Sequence, residues 1–97
     1  MASAVVTATA EQNLRLLIEI LFLPASTARR VREALLPLQE FPLLGPALGG
    51  RWAGHRFILG PWRWMLIIYR YDESAGRVEV ITIRDARSAR SPTASRE

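Results

Sequence analysis

Five arginines recur along one apolar stretch of this chain, at Arg56, Arg63, Arg70, Arg77 and Arg84, and the single histidine, His55, stands at its head. A guanidinium stays charged at any physiological pH and presents five donors in a planar fork, so this recurrence points to a partner with negative charge. His55 is the one group that titrates near neutrality without a large shift. All thirteen basic residues are arginine, which genome composition alone also explains. Their distribution is more informative. In the first fifty residues Arg15, Arg29, Arg30 and Arg32 balance Glu11, Glu19, Glu33 and Glu40, so the excess of +4 falls in the second half, where Arg51 precedes the apolar stretch. A one-sided basic field speaks of association with nucleic acid or an acidic protein. The plainer reading is a solvated sheet edge with ion pairs to Asp72, Glu79 or Asp85, and a histidine that is merely exposed or hydrogen-bonded.

Several classes of chemistry lack their residues. Without cysteine there are no disulfides, thiolate metal sites or cysteine nucleophiles, and a lone histidine makes a poor zinc site. No Walker-type loop and no Ser-His-Asp order is found, so neither a cofactor nor a metal is expected. No segment approaches the ~20 uninterrupted apolar residues of a membrane span, and no basic start of a signal peptide precedes Ala4, so a cytoplasmic protein without membrane contact is expected.

The elements that must position the arginines follow from periodicity. Three short runs rich in aromatic and β-branched residues, from Gly54 to Leu59, Trp62 to Tyr71 and Arg77 to Arg84, are separated by Gly60-Pro61 and by Asp72 to Gly76, as in an antiparallel meander. In the middle run Trp62, Trp64, Leu66 and Ile68 fall on one face and Met65, Ile67, Tyr69 and Tyr71 on the other, which predicts a central strand covered on both sides. The last run alternates Val78, Val80 and Thr82 against Glu79, Ile81 and Ile83. Upstream, Ala4 to Thr9 reads as an edge strand, and Thr9-Ala10-Glu11-Gln12 as a capping box that starts a helix at Ala10. Leu14, Leu17, Ile18 and Leu21 form its inner stripe; Leu16, Ile20, Phe22 and Leu23 are left over, either wedged between layers or awaiting a partner. Pro24 stops this helix, and Ser26 or Thr27 caps a second one with Ala28, Val31, Leu35 and Leu38 inward. Pro37 predicts a kink or break near Leu36. Residues 41–50, dense in proline and glycine but apolar, are expected to lie against the core as a loop. One domain over residues 1–90 and a disordered tail over 91–97 complete the expectation.

In this order the chain resembles the RelE/ParE toxins of bacterial type II toxin–antitoxin modules. Leu38-Gln39-Glu40-Phe41-Pro42-Leu43-Leu44-Gly45 is similar to the family's loop after the second helix, and Arg56 to Arg63 to its arginine, strand, Gly-x-aromatic-Arg signature. Leu66-Ile67-Ile68-Tyr69-Arg70 is similar to its hydrophobic-Tyr-Arg strand, and Ala10 with Leu14 to the start of its first helix. The resemblance implies an α+β fold: N-terminal strand, αα-hairpin, then a three-stranded antiparallel meander forming one curved sheet. It implies a growth-inhibiting toxin neutralised by a cognate antitoxin, with plasmid stabilisation as a role and either translation or DNA gyrase as the target. The leftover Leu16, Ile20 and Leu23 are then candidates for antitoxin binding.

RelE-like members cut messenger RNA on the ribosome through attack of a ribose 2′-hydroxyl on phosphate, which needs a base, an acid and cations. Carried onto this chain, Arg63 matches the motif arginine and Arg84 or Arg87 the late arginine, with His55 as candidate base. Arg51, Arg56, Arg63 and Arg90 would bind RNA or another target. The chain lacks the family's lysines and has no tyrosine after Tyr71, which motivates a ParE-like binding toxin, with a metal-independent ribosome-dependent endoribonuclease and a non-toxic orphan as alternatives. Trp62 and Trp64 among arginines offer base stacking or, at period two, core packing.

Overall fold

The structure, a computed structural model, describes residues 1–87; the expected tail over 91–97 and Arg90 lie outside the described residues. Strand β1 (Ser3–Val6) leads into helix α1 (Ala8–Leu21) and helix α2 (Thr27–Glu40), followed by a single 3-10 turn (Gly50–Trp52) and strands β2 (Arg56–Leu59), β3 (Met65–Asp72) and β4 (Arg77–Asp85). The sheet order is β1-β4-β3-β2, with β1 parallel to β4 and the other pairs antiparallel. This is the α+β arrangement expected, with β3 and β4 both central.

Helix α1 begins two residues earlier than the capping box at Thr9 predicts. The cap is Thr7, whose hydroxyl accepts from the Ala10 N–H at 3.3 Å and donates to the Val80 carbonyl at 2.8 Å. A threonine bonded to both helix and sheet outcompetes one bonded only to its own helix, and Thr9 is left exposed. At the other end Phe22 closes α1 in the left-handed region at φ 53°, a place glycine usually fills, and its ring is exposed. Neither Ser26 nor Thr27 caps α2 through its side chain; the Thr27 hydroxyl instead donates to the Pro24 carbonyl at 2.7 Å. Nor does α2 break near Leu36. It runs through Pro37 to Glu40: the Phe41 N–H still closes the last turn on the Pro37 carbonyl at 2.9 Å, and the burial of Leu35 and Leu38 on either side offsets the bond to the Glu33 carbonyl that proline cannot make.

Both helices cover one face of the sheet. Ala10 and Leu14 of α1 and Val31, Leu35 and Leu38 of α2 pack with Met65, Ile67, Tyr69, Val78, Val80 and Ile83. Leu66 and Ile68, pointing the other way from β3, are buried as well, so neither face of this strand lies in water. Strand β3 starts at Met65 rather than Trp62, since the Met65 N–H turns back to the Trp62 carbonyl at 2.9 Å. The simple alternation expected of the last strand also fails. Tyr69 pairs with Val80 but Ile68 with Thr82, leaving Ile81 as an extra residue, and this bulge brings Ile83 rather than Thr82 into the core beside Val78 and Val80. Asn13 of α1 covers the irregularity: its Oδ1 accepts from the Thr82 hydroxyl and from the Ile83 N–H at 3.2 Å.

Candidate functional site

The register of the sheet sorts the arginines onto two faces. Arg56 lies opposite Tyr69 and so shares the face packed by the helices, whereas Arg84 lies opposite Leu66 on the open face. Arg56 and Arg84 therefore do not share one binding surface. Arg56 has another task. Its Nη1 donates to the carbonyls of Gly45 at 2.8 Å and Leu43 at 3.3 Å, while the Gly45 N–H donates to the buried Tyr69 hydroxyl at 2.9 Å. These bonds fasten the loop after α2 to the edge of β2, where the Leu48 N–H and the His55 carbonyl add a bond at 2.8 Å. Burial raises the Tyr69 phenol above its ordinary value of 10.0, with the Gly45 N–H and the Arg56 guanidinium partly offsetting it. The folded state thus holds this proton more tightly than the unfolded chain. The stabilisation is complete below pH about 10 and declines as pH rises toward the folded value. Tyr69→Phe is expected to cost about 1 to 3 kcal/mol at neutral pH by orphaning the Gly45 N–H, and to flatten the alkaline decline. Urea unfolding between neutral and strongly alkaline pH measures both.

Most other cations of the stretch are internally paired. Arg70 and Arg77 both bond Glu79, at 2.8 and 3.0 Å, and Arg77 reaches Asp72 at 3.9 Å. The two guanidinium groups, Arg70 first, hold the Glu79 carboxyl below its ordinary range. Arg87 forms a two-pronged bond with Asp85, at 2.9 and 2.7 Å, and lies over the Trp64 ring at 4.6 Å. Trp64 stacks on Trp62 at 6.0 Å between centroids, and Arg30 of α2 lies over Trp62 at 4.9 Å. The four side chains form a closed ladder from α2 to the end of β4, so both tryptophans are partly buried against the core rather than free for a base.

One group of polar side chains on the open face remains. Trp52, at the end of the 3-10 turn, meets His55 edge-on at 5.7 Å, and the Arg84 guanidinium lies over its ring at 5.3 Å. His55 Nδ1 and Arg84 Nε are each buried without a hydrogen-bond partner. Exposed Arg51 adjoins Trp52 in the chain, and exposed Arg63 lies in the turn before β3; neither has an ion-pair partner among the described residues. The structure thus brings His55 and Arg84 to one aromatic ring, with Arg56 on the opposite face of the sheet from Arg84 and Arg87 engaged by Asp85 and Trp64. Sequence reasoning missed Trp52, whose signal was its place three residues before the histidine, and Arg30, whose role needs tertiary contact. Of the proposed antitoxin contacts, Leu16 and Ile20 are exposed one turn apart on α1, whereas Leu23 packs on the core. Among the described residues no cluster of His, Asp or Glu could hold a metal, and no helix is long and apolar enough to cross a membrane.

No family model matches the sequence, and no curated protein matches it significantly. Among solved structures the chain is similar to the toxin–antitoxin complex RelBE2 from Mycobacterium tuberculosis, with a TM-score of 0.65 and 23% identity over 87% of this chain and 90% of that one. It is also similar to the chromosomal ParDE system from P. aeruginosa, with a TM-score of 0.68 and 15% identity over 88% and 96% of the two chains. The YoeB/ParE toxin from Agrobacterium tumefaciens gives a TM-score of 0.66 and 20% identity over 86% and 96%. The chain has the RelE/ParE fold.

Proposed function

We propose that this protein is the toxin of a type II toxin–antitoxin module, that it acts by binding DNA gyrase, and that a cognate antitoxin neutralises it. The fold and its neighbours support the toxin role. The observation that carries the binding mechanism is the dispersal of the catalytic candidates. Arg87 is engaged by Asp85, Arg63 lies exposed in the turn before β3, and among the described residues no hydrogen bond or ion pair joins a second titratable group to His55 and Arg84, which meet at Trp52. Transfer of a proton to a leaving oxygen needs such a group; contact with a partner does not. The target-binding face is the open corner of Trp52 and Arg84 with the adjoining Arg51, and the antitoxin covers the exposed Leu16 and Ile20 of α1.

The convergence of His55 and Arg84 on one ring favours a second reading, ribosome-dependent cleavage of messenger RNA. Two assays on the purified chain separate the readings. The expected result is loss of gyrase supercoiling with transcripts intact in a translating extract. Cut transcripts and unaffected gyrase would establish the second reading, and normal growth of a bacterial host at confirmed protein levels would remove both.

A further inference from the structure

The loop after α2 presents apolar side chains to water on a backbone tied to the sheet by hydrogen bonds. Phe41, Leu43 and Leu44 are 60%, 59% and 57% exposed, and Leu36, one helical turn before Glu40, is 57% exposed. Loops of this kind usually bury such groups or pay in mobility, and the sequence led us to expect this one against the core. Here the backbone faces the core instead. The Leu43 carbonyl and both polar groups of Gly45 are bonded to Arg56 and Tyr69, the Phe57 N–H takes the Pro46 carbonyl, and Pro42 and Pro46 restrict the rest. With the carbonyls turned inward, the side chains at 41, 43 and 44 are held outward around a shallow depression of about 410 Å³ lined also by Pro42 and Glu40.

We infer that this depression is a docking site for a short segment of a partner protein, carrying apolar anchors beside a lysine or arginine. Three observations select that occupant. Glu40 is the one charged residue lining the depression and its carboxylate attracts a cation at that rim, while the Arg56 guanidinium lies behind the loop on the Leu43 and Gly45 carbonyls. Four apolar side chains are too few for a stable dimer, whose interfaces bury about 800 Å² on each partner, but they suit a peptide with two anchors. The pinned backbone means that little conformational freedom is lost on binding, so the leucines can act as anchoring contacts. The site is separate from the α1 face and from the Trp52 corner, and it does not depend on the mechanism proposed for either.

The test is an array of synthetic twelve-residue peptides of random sequence, probed with the full chain at physiological salt. The expected result is selection of peptides with two apolar residues and at least one lysine or arginine. Leu43→Ser with Leu44→Ser then weakens the best selected peptide by about tenfold or more. Glu40→Lys reverses the preference to acidic peptides, and Gln12→Ala on α1 changes nothing. All of these positions are exposed, and thermal unfolding confirms that each variant folds. Selection without charge preference, binding unchanged by the leucine substitutions, or displacement of the peptides by single-stranded DNA would overturn the inference. So would binding to neutral phosphatidylcholine vesicles through Leu43 and Leu44, or a dimer in sedimentation that the same substitutions dissolve.

Discussion

Gly45→Ala is expected to destabilise the protein by about 3 kcal/mol or more, a fall in Tm on the order of 10 to 20 °C for a domain of this size. A Cβ on Gly45 would stand 2.1 Å from the Phe57 carbonyl oxygen and 2.9 Å from its carbon, and both belong to the backbone of a strand. Neither can yield as a side-chain end would. The loop must lift from β2, and its departure strips the Tyr69 hydroxyl of the Gly45 N–H and Arg56 of its carbonyl acceptor inside a buried corner. Gly49→Ala is the control, since nothing lies within 4 Å of its added carbon and its backbone is of an ordinary kind. Differential scanning calorimetry on the two variants decides the matter. Equal Tm values would mean that the loop is not held by close backbone contact.

Arg84→Ala is expected to weaken inhibition of gyrase supercoiling by about thirtyfold or more while Tm stays within about 3 °C of the parent. Arg84 lies over the Trp52 ring at 5.3 Å, so part of its freedom is already lost before a partner arrives, and it has no ion-pair partner among the described residues. A group that is ordered and unsatisfied gains more from an incoming acceptor than one already bonded. Arg70→Ala supplies the comparison. That guanidinium is committed to Glu79 at 2.8 Å, and its loss is expected to change inhibition less than threefold. The same pair of variants, titrated as inducible genes for growth arrest, gives a second measure. Equal potency of the parent and Arg84→Ala would remove the Trp52 corner from the proposed target site.

The order of elements, the two inner helical stripes and the covering of β3 on both faces were all legible in the sequence, because they depend on side-chain periods that a short window contains. Leu14 and Ile18 repeat at helical spacing, and Met65, Ile67 and Tyr69 at strand spacing, whatever lies elsewhere in the chain. The resemblance of three ordered motifs pointed to the same fold. Choices among near-equivalent neighbours were not legible. Thr7 and Thr9 are both plausible caps until Val80 is placed within reach of one of them. Proline at 37 looks like a helix breaker until its position in the last turn and the burial of Leu35 and Leu38 are known.

The sites divide in the same way. Residue type and count by themselves determined that this protein carries thirteen arginines and no lysine, has a single histidine and lacks thiol chemistry. Which arginines remain for a partner was decided by the tertiary structure alone. An extra residue at Ile81 resets the alternation of β4, the register sets Arg56 and Arg84 on opposite faces, and long-range ion pairs remove Arg70 and Arg77. A guanidinium reaches several ångströms along a flexible stem, so its partner is fixed by what the fold brings near and not by its neighbours in the chain.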